Sequence, residues 1–419
     1  MVKVRPFKGY LANQENVGRV ISPAYDTLNT EEARAMADGN EMSFLNVNKP
    51  EITMAVDQDP YADEVYETGR TNLLHFIESG YLVQDTEERM YIYQQTMNGH
   101  TQFGLIGEAS VDDYEHNRIK RHELTLAKKE LDRTKLTDVQ SANVGPVFLT
   151  FKDNQEAIKA RMNQIVTSQA AYGDVTCDDG VRHVLWQCSV EDSAFFVEQF
   201  AAIPALYVAD GHHRTAAAFN VGKIRRQRAI DAGQEVTGEE PFNFFMTLFY
   251  PADNLMILDY NRVIKSLNEM STDDFMTALG ENFDIRPLAD GESSKTKARH
   301  TYSLYINNKW HVMSIKPEKI DFSTPVTQLD SQIINELVLR QIIGIEDIKR
   351  DNRVDFVGGI RGHDELVRRC QTDCVAAIAM HPCTIEELLD VADAELIMPP
   401  KSTWFEPKPR SGFVVRTFN

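Results

Sequence analysis

The sequence has little of what marks a secreted or membrane protein. It has only five cysteines in 419 residues, and their odd number argues against a disulfide framework. The start, MVKVRPFKGY, has no apolar core of signal-peptide length, and no later segment is long and apolar enough to span a membrane. We therefore expect a reduced, cytoplasmic protein with no membrane partner.

Positive charge is also scarce. The chain has 44 Lys and Arg against 63 Asp and Glu, so its formal net charge is −19. KIRRQR, at 223–228, is the one basic run that stands out. So acidic a chain repels a nucleic-acid backbone, and no helix-turn-helix signature is evident. We expect no nucleic-acid partner.

What is present is typical of a globular protein with more than one domain. The hydrophobic content of 42% and the charged content of 26% are ordinary values. A chain of 419 residues is expected to form about two or three domains. Helix-like and strand-like patterns alternate without a repeat of fixed period, which favours an α/β or α+β fold. We predict one domain over 1–265 and a second, α+β domain over 266–419.

Local patterns predict several elements. We expect strands over 18–26, 300–307 and 309–316, and hairpins over 89–111 and 242–264. We expect helices over 59–82, closed by Gly80, and over 331–345. Asn29 with Glu32, and Thr384 with Glu387, have the spacing of a capping box at a helix start. These expectations fix only approximate boundaries.

The strongest functional signal is LYVADGHHRTAAAFN, residues 206–220. An apolar strand-like run ends at Asp210, and an alanine-rich helix begins after Gly211. A helix start presents free N–H groups and a positive dipole end, which together attract an anion. His212, His213 and Arg214 would add donors there, while Asp210 could accept a proton or hold Mg²⁺. The pattern suits phosphate chemistry.

Two other interpretations of this segment stay open. Asp210 could be an ordinary N-cap, with the histidines as buried packing residues whose ring nitrogens are satisfied. A metal site is the third interpretation. Neighbouring helical side chains diverge by about 100°, so His212 and His213 would not easily share one ion.

Two further clusters are less specific. Residues 117–133, NRIKRHELTLAKKELDR, are either a solvated helix with i,i+3 and i,i+4 ion pairs or the wall of a nucleotide pocket. The C-terminal group has four zinc ligand types, but neither cysteine pair has CxxC spacing. Its members are Cys370, Cys374, His381 and Cys383.

The motif ADGHHRTAAA closely resembles that of a DGHHR-type bacterial and archaeal family. That family is related to the ParB/sulfiredoxin-like nucleotide-binding fold and to the free-serine kinases. Further matching segments, in chain order, are RPFKGY at 5–10, VISPAYDTL at 20–28, SFLNVNKPE at 43–51, IKRHELT at 119–125, KELDR at 129–133, NVGPVFL at 143–149 and MPPKSTWFEPK at 398–408. The resemblance implies a ParB/sulfiredoxin-like core with large insertions and a C-terminal α+β domain.

The resemblance also implies roles for individual residues. The loop over 210–214 would hold nucleotide phosphates, with Asp210 beside the transferred group as a catalytic residue and Mg²⁺ ligand. A second acid would hold or deprotonate the substrate, and Asp26, Glu31 and Glu123 compete for that role. We expect Glu123 and His212 to be catalytic and Asp26 to bind substrate. The expected phosphate-binding residues are Gly211, His212, His213, Arg214, Thr215, Lys120, His122 and Arg133.

By this resemblance we expect a kinase that uses ATP or ADP with Mg²⁺ to convert free L-serine to O-phosphoserine. The sulfiredoxin reaction needs a cysteine in the phosphate loop, where this chain has histidines, so we do not expect a reductase. A non-catalytic nucleotide sensor, and a phosphohydrolase or kinase acting on another small substrate, stay open, as does a homodimer. We expect the proline-rich segment over 398–413 only to tie down the chain.

Overall fold

A computed structural model describes residues 1–152 and 156–418 of the protein. The chain divides into two compact units. The first comprises residues 1–255 and 407–419, and the second comprises residues 256–406. The sequence predicts a domain boundary between residues 265 and 266, whereas the two units meet between residues 255 and 256. Residues 407–419 return to the first unit.

The strands are numbered in chain order. They are β1 Val4–Arg5, β2 Tyr10–Ala12, β3 Leu82–Gln84, β4 Tyr91–Met97, β5 His100–Ser110, β6 Ile119–Lys120, β7 Ala142–Asn143, β8 Val147–Phe151, β9 Gly173–Thr176, β10 Arg182–Gln187, β11 Leu206–Asp210, β12 Phe244–Pro251, β13 Met256–Leu258, β14 Tyr260–Ile264, β15 Phe283–Pro287, β16 Thr301–Ile306, β17 Lys309–Ile315, β18 Val354–Gly358, β19 Ala376–Ala379, β20 Trp404–Glu406 and β21 Val414–Thr417.

The α-helices follow the same order. They are α1 Val17–Val20, α2 Thr30–Ala37, α3 Leu45–Asn48, α4 Asp63–Glu78, α5 Val111–Glu115, α6 Ala127–Gln140, α7 Glu156–Ser168, α8 Val190–Phe200, α9 His212–Asp231, α10 Thr272–Asn282, α11 Asp330–Ile334, α12 Gly362–Thr372 and α13 Ile385–Asp393. Among the described residues, no helix is both long and apolar enough to cross a bilayer.

The first unit is built on a nine-stranded mixed sheet, which confirms the α/β class. Its main path runs β6-β11-β8-β12-β5-β4-β10-β9, and β1 pairs with β5. β8 and β12 are buried along their whole length, as expected for apolar strands covered on both faces. β6 and β11 run parallel, and this places the start of the 117–133 cluster beside the strand that ends at Asp210.

A smaller sheet of the first unit, in the order β3-β2-β21-β7, includes residues from near the end of the chain. Arg416 on β21 is 2% exposed, and its guanidinium donates to the buried carboxylate of Glu108 on β5. A buried ion pair of this kind is costly to break on one side only, because the remaining charge loses its partner. The last strand is therefore tied into the core of the first unit.

The second unit has its own sheet and core. Its six strands lie in the order β15-β17-β16-β19-β14-β18, and β13 pairs separately with β20. Apolar side chains of this sheet pack with those of α10 and α11 in one cluster that includes Phe275, Leu304 and Ile334. The strands predicted over 300–307 and 309–316 are β16 and β17.

Local expectations were met where a turn or cap is specified by neighbouring residues. β4 and β5 form the predicted hairpin across Asn98 and Gly99, which both have positive φ. Both capping boxes are present: Asn29 with Glu32 starts α2, and Thr384 with Glu387 starts α13. These contacts span only three residues, so they depend little on the rest of the fold.

Two local predictions were wrong. The strand predicted over 18–26 is instead α1 followed by a 3₁₀ turn, Tyr25–Thr27, and within it only Ser22 makes a β-bridge. The hairpin predicted over 242–264 does not form, since β12 pairs with β5 and β8 while β14 pairs with β18 and β19. The helix predicted over 331–345 is present as far as Arg340, as α11 followed directly by a π-helical segment, Asn335–Arg340. Apolar runs alone do not specify which strand will be the partner.

Candidate functional site

The strand–helix junction predicted from the sequence is present where β11 ends and α9 begins. Gly211 is the N-cap residue, with φ +92° and no side chain to cap the helix. Such a φ is readily adopted only by glycine. The first N–H groups of a 20-residue helix therefore have no side-chain cap. The interpretation of Asp210 as the N-cap was wrong, because it precedes the cap position.

Asp210 is held by two donors. One carboxylate oxygen accepts the N–H of Gly211 at 2.7 Å, and the other accepts from the ammonium of Lys408. Burial alone would raise the pKa of Asp210, but Lys408, Arg214 and the Gly211 N–H together lower it well below its usual range. Asp210 is thus an ionised carboxylate at neutral pH.

His212, on the first turn of α9, is buried against His122. The two rings are edge-to-face with centroids 4.5 Å apart, and the residues are 7% and 2% exposed. Burial lowers the pKa of His122 to about 4, and burial beside His122 lowers the pKa of His212 well below its usual value. Both rings are therefore neutral at pH 7. The Nε2 atom of His212 has no hydrogen-bond partner among the described residues.

Glu123 lies on the other side of the same ring. Its carboxylate is 3.8 Å from the Nδ1 atom of His212, and its side chain is 40% exposed. This distance is longer than a hydrogen bond, but a small movement would bring the two atoms into contact. A carboxylate on Nδ1 favours the tautomer in which Nε2 can accept a proton. The two predicted catalytic residues are thus adjacent.

His213 points toward the 117–133 cluster. Its Nε2 atom accepts the backbone N–H of Leu126 at 3.0 Å, which leaves the proton on Nδ1. Burial and the nearby Lys129 lower the pKa of His213, whereas Asp26 and Glu130 raise it. Asp26 is an exposed residue of the 3₁₀ turn and is near enough to act on this ring. The third competing acid, Glu31, is exposed on the first turn of α2.

Two arginines line a small cleft beside the helix start. Arg214 donates to the carbonyl of Pro146, and its Nε atom has no hydrogen-bond partner among the described residues. Arg133 lies over the ring of Tyr25, 4.2 Å from its centroid, and pairs with Asp132 at 2.8 Å. The cleft of about 40 Å³ is also lined by Asn143 and Ser411. It has room for a few waters.

Two predicted phosphate-binding residues have structural contacts. The Thr215 hydroxyl donates to the Gly211 carbonyl at 3.1 Å, and the residue is fully buried. Lys120 lies opposite Tyr207 in the β6–β11 pair, with its ammonium 5.9 Å from the ring centroid. These contacts account for the positions of Thr215 and Lys120 without phosphate binding, so that role stays a prediction.

Each carboxylate oxygen of Asp210 accepts one hydrogen bond, one from Gly211 and the other from Lys408. A carboxylate has about four acceptor sites, so the role of Asp210 as a magnesium ligand stays a prediction. In the described part of the chain, Cys177, Asp179 and His183 form a group with metal-ligand atoms within 4.8 Å of one another. However, the guanidinium of Arg410 donates to both Asp179 and His183. A fixed cation already occupies that position.

The zinc interpretation of the C-terminal cysteines found no support in the described residues, where Cys370, Cys374 and Cys383 are free and belong to no metal-ligating group.

Sequence reasoning missed the contribution of the terminal segment. Residues 407–411 do more than tie down the chain, because Lys408 contacts Asp210 and Ser411 lines the arginine cleft. Lys408 and Asp210 are separated by 198 positions. No local pattern in the proline-rich segment specifies the partner of its lysine.

The site therefore belongs to an α/β protein with an open, positively surrounded helix start. The chain is a member of the family described as protein of unknown function (DUF1015), whose model matches residues 4–332. No curated protein matches it.

Three solved structures are similar at low level. A free serine kinase in complex with AMP has TM-score 0.34 and 11% identity, covering 71% of this chain and 86% of that one. A conserved hypothetical protein from Pyrococcus furiosus has TM-score 0.33 and 12% identity, covering 71% and 89%. SbnI with a C-terminal truncation, from Staphylococcus aureus, has TM-score 0.36 and 10% identity, covering 73% and 84%. All three TM-scores are below 0.5, so these similarities do not assign a function to this chain.

Proposed function

We propose that the protein is a nucleotide-dependent phosphotransferase whose acceptor is the hydroxyl of a small molecule, with L-serine as the acceptor implied by the sequence resemblance. The observation that carries the proposal is the composition of the α9 start. An uncapped helix terminus, an ionised Asp210 bridged to Lys408 and a neutral His212 with a bare Nε2 lie together. Binding an anion and accepting a proton are the two operations that this reaction requires.

The phosphates of the nucleotide would bind at the N-terminus of α9. Backbone N–H groups and the helix dipole favour a negative ligand there. Lys408 and the bare Nε of Arg214 add positive charge within the same site. When phosphate is bound, the Lys408 ammonium can contact both it and Asp210, because an ammonium has three donors. Lys408 and Arg214 would then offset part of the charge of the transferred group.

His212 is the proposed proton acceptor. The acceptor hydroxyl oxygen attacks the terminal phosphorus, and the bond from that phosphorus to the nucleotide oxygen breaks. The hydroxyl proton passes to Nε2 of His212, while Glu123 stabilises the resulting imidazolium through Nδ1. Asp210 accepts hydrogen bonds from Gly211 and Lys408, so its proposed role is to position Lys408. Asp26 stays the candidate for binding the substrate.

The test is to incubate the protein with ATP or ADP, with and without Mg²⁺ and L-serine, and to follow O-phosphoserine by phosphorus NMR. We expect product with the wild type and a loss of about 100-fold or more with His212→Gln or Asp210→Asn. Asp174→Asn is the matched control, since Asp174 pairs with Arg182 at an exposed position of the same unit. Nucleotide binding without turnover would contradict the kinase assignment and favour a sensor.

Lys408→Met separates phosphate binding from the rest of the site. We expect about tenfold weaker nucleotide binding by titration calorimetry, because a charge-assisted hydrogen bond is lost. Lys159→Met, which removes another lysine paired with a carboxylate in this unit, should bind nucleotide as the wild type does. Equal affinities in the two variants would remove Lys408 from the phosphate site.

A further inference from the structure

The second unit contains a deeply buried arginine with an unused hydrogen-bonding edge. Arg262 lies on β14, between β18 and β19, and is 1% exposed. Its Nη1 atom donates to the carbonyl of Tyr260. Its Nε and Nη2 atoms have no hydrogen-bond partner within 1–152 and 156–418. A buried guanidinium is normally paired, so these atoms require an explanation.

Nε and Nη2 form one edge of the guanidinium, and that edge holds carboxylates elsewhere in this chain. Arg368 donates from the same two atoms to both oxygens of Glu365, each at 2.7 Å. The geometry is the bidentate fork that arginine uses for small oxyanions. The Nε and Nη2 atoms of Arg262 are also buried, but they donate to no carboxylate among the described residues.

The acids near Arg262 are already engaged by other donors. Asp330 accepts from the Tyr302 hydroxyl at 2.8 Å and from the His300 N–H at 2.9 Å. Glu387 pairs with Arg299 at 2.7 Å and accepts the N–H of Thr384. Burial lowers the pKa of Arg262 to about 10, as expected for a cation whose charge is under-compensated.

Arg262 lines a small cavity of about 10 Å³. Polar residues form much of the wall: Tyr260, Ser331, His381 and Ser402 lie there with Arg262 and Asp330. A group at this position can therefore be small and polar. A bulky anion such as sulfate does not fit without rearrangement.

We propose that the second unit binds a small monovalent anion, chloride or a formate-sized carboxylate, on the Nε–Nη2 edge of Arg262. The anion would neutralise the guanidinium and satisfy both bare donors. Chloride and carboxylate share this chemistry, and they differ in size and in the number of acceptor atoms. The inference concerns the second unit alone and is independent of the phosphotransferase proposal.

Chlorine NMR of the full chain tests the site. Exchange of chloride with a protein site broadens the chloride signal, and a competing ligand restores its width. We expect broadening with the wild type that formate reverses and the bulky anion gluconate does not. Reversal by formate at much lower concentration than chloride would identify carboxylate as the better ligand. No broadening, or broadening insensitive to formate, would overturn the proposal.

Arg262→Lys keeps a positive charge but loses the fork, and we expect at least about tenfold weaker chloride binding. Arg368→Lys is the matched control, because its fork is already used by Glu365. If Arg262→Lys does not fold, Ser402→Leu places a larger side chain on the cavity wall while retaining Arg262. Unchanged, formate-sensitive broadening in a folded Ser402→Leu or Arg262→Lys protein would overturn the proposal.

Discussion

Two helix starts in this molecule are built in opposite ways. At α13, Thr384 accepts the N–H of Glu387, and the Glu387 carboxylate accepts the N–H of Thr384 at 2.8 Å. At α9, the cap position is Gly211, and no side chain closes the helix. The first start is satisfied by its own residues, so its role is stability. The second leaves donors for a ligand and surrounds them with Lys408 and Arg214.

The buried histidines at the α9 start are expected to have the largest effect on stability, through the pH dependence of the free energy of unfolding. Burial holds the pKa of His122 at about 4, below the value of about 6.5 expected in the unfolded chain. Between these values the unfolded chain binds a proton that the folded chain does not. The associated stability is present above about pH 6.5 and is lost as the pH falls toward 4. It amounts to about 3 kcal/mol.

His122→Phe should therefore flatten the acid limb of a plot of unfolding free energy against pH, measured by urea titration. His212, whose pKa is also lowered, contributes in the same direction and keeps part of the slope. A slope identical to that of the wild type would show that His122 is not buried as described.

Gly211→Ala tests whether α9 needs its left-handed cap residue. A Cβ at φ +92° costs about 1–2 kcal/mol, and relief of that strain would move the first N–H groups. We expect lower stability in urea and weaker nucleotide binding by calorimetry. Gly39→Ala, at another positive-φ glycine with open space around it, should lose stability but retain nucleotide binding. If both variants lost stability but bound nucleotide as the wild type does, the cap geometry at Gly211 would have no role in nucleotide binding.

Thr384→Ala removes the N-cap side chain of α13, and we expect it to have the smallest effect on stability of these variants. Loss of an N-cap side chain costs about 1 kcal/mol of stability. Nucleotide binding should be unchanged, because α13 holds no proposed ligand group. A change in nucleotide affinity measured by calorimetry would contradict the conclusion that the α13 start serves stability alone.

The sequence predicts best what is specified by close neighbours. The capping boxes, the β4–β5 hairpin and the strand-to-helix junction at Gly211 all follow from residues within a few positions. The sequence indicates Glu123 and His212 only as chemically suitable residues in two separate clusters, without their adjacency. The parallel pairing of β6 with β11 explains why the 117–133 cluster starts beside Asp210.

The missing parts depend on distant partners. The apolar run of β12 predicts pairing with the next strand, but the strand lies between β5 and β8. Lys408 meets Asp210 across 198 positions, and nothing in PKPRSGF encodes that distance. The bare edge of Arg262 is likewise invisible in the sequence, because it results from acids that are engaged elsewhere.

The return of residues 407–418 to the first unit has a consequence for the order of synthesis. A ribosome that has made only residues 1–255 has produced most of that unit without Lys408 or β21. Glu108 then lacks Arg416, and Asp210 lacks its ammonium partner. The second unit emerges in full before those residues are made. The α9 site is thus completed only after the whole second unit has been synthesised, and until then the nascent chain carries it without Lys408.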